Sequence, residues 1–141
     1  MKKFKPGFVT DIISDYNQTE EDFAKKVCQT NSLAQHITQK FNQKLEKNGL
    51  KSNFQYSTLH FGKVTESSDE VFKQNDVITV EEYLTGTFAK YINNTGEICT
   101  TSEGDEFIER VSALAHFSYE HYERQFMLVD IQGRNKLNVS K

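Results

Sequence analysis

The feature that most constrains the fold is the apolar run 126–129, Phe-Met-Leu-Val, which leads into Asp130 and is followed by Gln132 and Gly133. A short continuous apolar run predicts a strand buried on both faces of a sheet. A carboxylate at the end of such a strand is costly to bury alone, so Asp130 is expected to meet a cleft, a metal ion or a partner. The ordinary alternative is a core strand whose last acid reaches solvent.

A second strong pattern predicts a long amphipathic helix over residues 20–47. Thr19 and Asp22 have the spacing of a capping box, and the acidic residues beside them favour the positive end of a helix dipole. One face then collects the apolar residues Phe23, Val27, Ala34, Ile37, Phe41 and Leu45. Asn48 and Gly49 form a helix stop.

Weaker signals surround this helix. Lysines at 2, 3 and 5 are expected to form a solvated terminus, and the apolar residues 8–13 predict a short strand after the Pro6-Gly7 turn signal. Residues 54–64 and 77–81 predict two strands that pair antiparallel across a polar loop, with Gly62 marking a bulge.

The remaining segments predict a turn and a second helix. The sequence Asn-Asn-Thr-Gly at 93–96 is a strong turn signal. The helix is expected to begin at Gly104 or Asp105 and to bury one face, formed by Phe107, Val111, Leu114, Ala115, Ser118 and Tyr122.

Composition limits the classes of partner and compartment. The 141 residues suffice for one domain, or a piece of one. A net charge of −3 provides no basic field for nucleic acid, and no apolar run reaches transmembrane length, so neither nucleic acid nor a membrane is an expected partner. Cys28 and Cys99 lack the spacing of a zinc or disulfide framework, which suits a reducing compartment and predicts a soluble, cytoplasmic protein.

Three stretches resemble one family. Residues 80–96 resemble the hinge and the Lys-Tyr-x-Asn-Asn-x-Gly segment of the alpha-kinases, the atypical protein kinases that include myosin heavy chain kinases, elongation-factor kinases and channel-kinases. Residues 115–120 are similar to the helix that follows, and 128–133 to the catalytic strand. The order and spacing of these motifs agree from about residue 20 to residue 133.

The resemblance implies a partial α+β fold of the atypical, alpha-type protein-kinase class. A long helix would pack on a small antiparallel sheet, and a hinge would lead to the helix and catalytic strand of the second lobe. Residues 1–19 would be an N-terminal segment, and 20–141 a partial kinase domain with its hinge at about 80–86 and its catalytic strand at 126–133.

The resemblance also implies an activity, namely ATP-dependent phosphorylation of protein serine or threonine with magnesium. Glu81 and Leu84 match the hinge residues whose backbone groups bind adenine. Asp130 matches the aspartate that activates the substrate hydroxyl, and Gln132 matches the amide that helps to hold the magnesium ion. Phosphoryl transfer requires such positioning, charge neutralisation and proton acceptance, and residues two apart on a strand share a face.

Some family features are not matched. The family has a Thr-Asp-Pro whose aspartate is a second metal ligand, whereas Ser140 stands nearest to that position here. A phosphate-clamping lysine and the zinc-binding His and Cys positions of the lower lobe also have no assigned counterpart. We therefore expect the chain alone to be inactive or weakly active. The alternative function is that of a truncated or degenerate pseudokinase fragment that serves as a nucleotide- or protein-binding module.

Overall fold

Helices and short antiparallel strands make up the computed structural model, which describes residues 1–51, 54–67, 70–99 and 104–134. In chain order the elements are β1 Lys2–Lys3, α1 Pro6–Tyr16, α2 Glu20–Lys47, β2 Leu59–Lys63, β3 Val77–Glu81, β4 Phe88–Lys90, α3 Asp105–His121 and β5 Gln132–Arg134. Within these ranges, no helix is both long enough and apolar enough to cross a membrane.

The chain forms two compact units. The first comprises Met1–Gln39 and Phe54–Glu82, and the second comprises Lys40–Asn53 and Tyr83–Lys141. The chain passes for the last time from the first unit to the second between Glu82 and Tyr83. This point lies inside the segment 80–86, where the sequence predicts a hinge.

The first unit is built on a three-stranded antiparallel sheet in the order β1-β3-β2. The predicted antiparallel pairing is confirmed, although the first strand begins at Leu59 and not at residue 54, because residues 54–58 pair with no other strand that the structure describes. Gly62 lies opposite Ile78 in a regular register, so the predicted bulge is wrong. The lysines at positions 2, 3 and 5 are exposed, as predicted. In addition, Lys2 and Lys3 form an edge strand, and the Nζ atom of Lys3 lies 3.0 Å from the Asp76 carboxylate.

Helix α2 has the predicted extent of 20–47 and is held to the sheet by amide side chains. The Nε2 atom of Gln35 donates to the Thr58 hydroxyl over 3.0 Å, and the Oδ1 atom of Asn31 accepts the backbone N–H of Leu59 over 3.2 Å. The start of β2 is therefore fixed to the middle of the helix, and the expected packing of a long helix on a small sheet is confirmed.

Thr19 caps the N-terminus of α2 as predicted. Its hydroxyl oxygen accepts the backbone N–H of Asp22 over 3.1 Å and donates to the Asp22 carboxylate over 2.7 Å. The first N–H groups of a helix have no partner within the helix, so a side chain that binds one of them stabilises the helix.

We expect Thr19→Ala to lower the free energy of unfolding by about 1 kcal/mol, the usual effect of removing a threonine N-cap. Urea denaturation followed by circular dichroism measures this difference. Thr30→Ala is the matched control, since Thr30 is exposed on the same helix and should change stability by less than about 0.5 kcal/mol. Equal effects of the two substitutions would contradict the capping role.

The prediction of a strand at 8–13 is wrong, because these residues lie in helix α1. Pro6 stands at the first turn of the helix, where its missing N–H costs nothing. Ile12 is fully buried, and the Phe8 ring packs edge-on against Phe23 with 5.5 Å between centroids. A short apolar run is compatible with either structure, and here contacts with a distant aromatic ring favour the helix.

The second unit combines helix α3 with the two-stranded antiparallel sheet β4-β5. The predicted start of the helix at Gly104 or Asp105 is confirmed. The predicted inner face is confirmed at its centre, where the buried residues are Val111, Leu114, Ala115 and Ser118. The end of α2 packs here too, with 5.4 Å between the ring centroids of Phe41 and Phe117.

The prediction that residues 126–131 form a strand buried on both faces is wrong. Strand β5 begins only at Gln132, and Met127 and Val129 are exposed while Leu128 is buried. The backbone N–H of Leu128 donates to the Ser118 hydroxyl over 2.8 Å, which replaces a bond to a neighbouring strand. Asp130 has a positive φ of 53°, which is incompatible with an extended strand.

Candidate active site

Asp130 occupies a bend that is fixed by backbone hydrogen bonds on both sides. Its N–H donates to the Asn93 carbonyl over 3.0 Å, and the Ile131 carbonyl accepts N–H groups from Tyr91 at 2.8 Å and Ile92 at 3.1 Å. A left-handed backbone is uncommon outside glycine, although aspartate tolerates it better than most residues. Such conformations persist where surrounding contacts hold them, often at functional sites.

The carboxylate of Asp130 is paired with a lysine that the sequence reasoning missed. The Nζ atom of Lys90 lies 2.6 Å from Oδ1 of Asp130. The two side chains are 42% and 48% exposed, so solvent screens the pair and its contribution to stability is limited to about 0.2–1 kcal/mol. The main effect of this contact is to orient the carboxylate.

The register of β4 and β5 places Gln132 beside the Lys90–Asp130 pair. Lys90 in β4 lies directly opposite Gln132 in β5, and directly opposed residues place their side chains on the same face of a sheet. An amide, a cation and a carboxylate therefore meet at one end of the β4-β5 sheet. The clue in the sequence was that Lys90 belongs to the Lys-Tyr-x-Asn-Asn-x-Gly segment, but nothing in that segment identifies Asp130 as its partner.

The predicted turn at 93–96 is confirmed, and it supports the bend at Asp130. The Oδ1 atom of Asn93 accepts the N–H of Thr95 and the N–H of Glu97, each over 2.9 Å. The Nδ2 atom of Asn93 donates to the Glu97 carboxylate over 2.8 Å, and hydrogen bonds from Asn93 and Thr95 lower the pKa of Glu97. The turn thus fixes Asn93, whose carbonyl in turn holds Asp130.

Glu81 and Leu84, the residues that the family resemblance assigns to adenine binding, belong to different units. Glu81 is the last residue of β3 in the first unit, and its carboxylate forms an ion pair with Lys2. Leu84 is half-buried in the second unit, within the irregular segment 82–87 that leads to β4.

A bound magnesium ion would need more ligands than the described residues supply. Gln132 is exposed and offers one amide oxygen, while the Asp130 carboxylate is engaged with Lys90. In the described parts of the chain, no three His, Cys, Asp or Glu side chains are grouped as a metal site. These residues fit a magnesium ion that arrives with nucleotide phosphates, which commonly complete its coordination, and not a resident ion. Ser140 lies outside the described residues.

Comparison with other sequences identifies a family model and several related proteins. The alpha-kinase family model matches residues 1–139. Human transient receptor potential cation channel subfamily M member 7 is 31% identical over 143 aligned residues, which cover 94% of this chain and 7% of that protein. Human alpha-protein kinase 1 is 32% identical over 100 residues, covering 71% of this chain and 8% of that protein. The chain thus spans only a small part of these relatives.

Comparison with solved structures shows the fold. The alpha-kinase domain of myosin-II heavy chain kinase A in complex with AMP-PNP matches with a TM-score of 0.59 and 24% identity, over 77% of this chain and 38% of that chain. A structure of the same domain with a phosphorylated aspartate gives a TM-score of 0.60 and 24% identity, over 84% and 42% of the two chains. The predicted α+β, alpha-kinase-like fold is confirmed, and with a family match that includes nearly every residue, this chain belongs to the alpha-kinase family.

Proposed function

We propose that this chain binds ATP and, weakly on its own, transfers the terminal phosphoryl group of ATP to a serine or threonine hydroxyl of a protein. The observation that carries the proposal is the Lys90–Asp130 ion pair at the bend beside Gln132. The AMP-PNP complex of the myosin-II heavy chain kinase A domain, which shares the fold, supports nucleotide binding. A reducing, cytoplasmic location is part of the proposal, and it suits Cys28 and Cys99, which form no disulfide.

In this mechanism Asp130 acts as the general base. One carboxylate oxygen would accept the proton of the attacking hydroxyl, while the ion pair with Lys90 and the bond from its own N–H to Asn93 hold the group in place. An ammonium group has three donors, and only one is required for Asp130. The other donors of Lys90 would bind the oxygens of the transferred phosphoryl group, whose charge must be stabilised.

Nucleotide binding is assigned to the end of β3 and to the irregular segment that follows it. Backbone groups of Glu81 and Leu84 would hydrogen-bond the adenine ring, and the amide oxygen of Gln132 would contribute one ligand to a magnesium ion bound by the phosphates. When bound, that ion supplies charge neutralisation to the phosphoryl group. The proposed partners are therefore ATP and a protein substrate.

A nucleotide titration tests this proposal. A ligand present at ten times its dissociation constant adds about 1.4 kcal/mol to the stability of a protein that binds it only when folded. For a chain of this size we expect the melting temperature to rise by about 5 °C in saturating ATP. Inorganic triphosphate is the control for non-specific anion effects and should give a smaller shift. An unchanged melting temperature at about 10 mM ATP, ten times a weak dissociation constant of about 1 mM, would contradict the proposal.

The second candidate is a nucleotide-binding module without catalysis. The observation that favours it lies in the sequence, where Ser140 stands nearest to the position of the family's second metal-binding aspartate. Catalysis by electrostatic stabilisation loses about 10²–10³ in rate with each missing group, so binding could survive where transfer does not. A stabilising shift with ATP and no transfer of labelled phosphate to any protein would select this candidate.

A further inference from the structure

Arg134 connects the strand that carries Gln132 to the irregular segment that carries Leu84. It is the last residue of β5 and lies opposite Phe88 of β4. Its guanidinium donates a hydrogen bond to the Gly86 carbonyl, and its Cζ atom lies 5.7 Å from the centroid of the Tyr83 ring. Both contacts are made to residues 83–86, which we call the linker.

The linker has a defined conformation that this contact holds. Gly86 has a φ of 111°, a value that residues with a side chain rarely adopt. Tyr83 is 81% exposed, so its ring is fixed by contact with the guanidinium and not by burial. An exposed segment with no secondary structure needs such side-chain contacts to stay in one conformation.

We propose that Arg134 is a positioning residue for the nucleotide, which fastens the linker so that the backbone groups of Leu84 are arranged for the adenine ring before it binds. The proposal rests on the proposed function, since it deepens the assignment of the linker to adenine. A segment that is already ordered loses less freedom when the ligand binds, and this raises affinity without a new contact to the ligand. Arginine suits the role because its planar fork can bind a carbonyl and stack on a ring together.

The main rival is that Arg134 contacts the phosphates directly. Arg134 and Gln132 are two residues apart on β5 and so point to the same face of the sheet. Against this, the hydrogen bond to Gly86 and the contact with Tyr83 direct the guanidinium toward the linker. The two roles predict different effects on adenosine, which carries no phosphate.

The test compares adenosine, ADP and ATP binding by calorimetry for the full chain and for Arg134→Met, which keeps the aliphatic stem. Loss of the contact should lower the affinity for all three ligands by the same factor, about three- to tenfold. This is the range for one hydrogen bond that is partly exposed to solvent. Arg134→Lys, which keeps the charge and one donor, should recover part of the affinity. Arg110→Met is the matched control, because Arg110 pairs with Glu106 on the exposed surface of α3. This variant should bind the three ligands with affinities within about twofold of those of the unmodified chain.

Two results in the binding series would overturn the proposal. One is a loss of affinity confined to ADP and ATP, which would assign Arg134 to the phosphates. The other is affinity for all three ligands within about twofold of the unmodified chain.

Hydrogen exchange without nucleotide separates this proposal from the proposed function. In Arg134→Met the amides of residues 83–86 should exchange faster, while those of α3 should exchange at unchanged rates. If the unmodified chain binds no nucleotide, the proposed function fails, and the exchange rates alone decide whether Arg134 holds the linker. Equal exchange of the linker in the two proteins would overturn the proposal. If Arg134→Met does not fold, Arg134→Lys is measured in the same way. We then expect a smaller increase in the exchange rate of the linker amides, and an unchanged rate would again contradict the positioning role of Arg134.

Discussion

Replacing Asp130 by asparagine should lower the rate of phosphoryl transfer by about 10²–10⁴-fold, because a positioned general base contributes about that factor. Asparagine preserves the size of the side chain and the backbone bond to Asn93 but does not accept a proton. Transfer of labelled phosphate from ATP to a mixture of serine and threonine peptides measures the rate. The affinity for ATP, measured by calorimetry, should stay within about twofold, since the adenine contacts are assigned to Glu81 and Leu84.

Asp11→Asn is the matched control for this substitution. Asp11 is exposed on α1 in the first unit, so its loss should leave the rate of transfer unchanged. If Asp130→Asn retains most of the transfer rate of the unmodified chain, Asp130 is not the base. If both substitutions lower the rate equally, the effect is general and the role assigned to the bend fails. If the unmodified chain shows no transfer while it binds ATP, the second candidate function replaces the first.

Replacing Leu114 by alanine should lower the free energy of unfolding by about 2–5 kcal/mol, because a fully buried leucine leaves a cavity when it is truncated. Leu114 is 1% exposed on α3, the helix whose Ser118 hydroxyl accepts the N–H of Leu128 and so fixes the approach to Asp130. Urea denaturation gives the difference in stability.

Leu50→Ala makes the same chemical change at a residue that is 57% exposed, and its effect should not exceed about 0.5 kcal/mol. A loss below about 1 kcal/mol for Leu114→Ala would contradict the assignment of α3 to the core of the second unit. The difference between the two substitutions isolates the contribution of burial, since the side chain removed is the same.

The elements that the sequence predicted correctly are those whose signals are local and repeated. Helix α2 has an apolar residue at nearly every turn, an N-cap at Thr19 and a stop at Gly49, so each part of the pattern supports the others. Strand β3 is a compact β-branched run next to a polar loop. The local pattern of residues is sufficient to predict both elements, without knowledge of contacts to distant parts of the chain.

The errors arose where distant contacts determine the local backbone. The apolar run before Asp130 indicated a strand, but the Ser118 hydroxyl on α3 binds the N–H of Leu128, and Asn93 holds Asp130 in a left-handed bend. A chain with these bonds satisfies its backbone without a neighbouring strand. Likewise, residues 8–13 form a helix, in which the Phe8 ring packs against the ring of Phe23.

The sequence indicated the carboxylate and the amide of the candidate site but did not indicate its two basic residues. Asp130 and Gln132 were identified through a family resemblance at the residues themselves. Lys90 and Arg134 were missed because their partners lie about 40 residues or more away along the chain, and only the register of β4 with β5 brings them together. A one-residue slip in that register would point Lys90 to the opposite face, and no local pattern determines it.

The most direct test of the site is a titration of the isotopically labelled chain with AMP-PNP and magnesium, followed by the backbone amide signals in nuclear magnetic resonance spectra. The proposed function predicts that the amide of Leu84 in the linker and those of residues 130–132 at the bend shift together, with one shared dissociation constant. Shifts confined to one of these two segments, or spectra unchanged at about 10 mM nucleotide, would contradict the conclusion that the linker and the bend at Asp130 form a single nucleotide site.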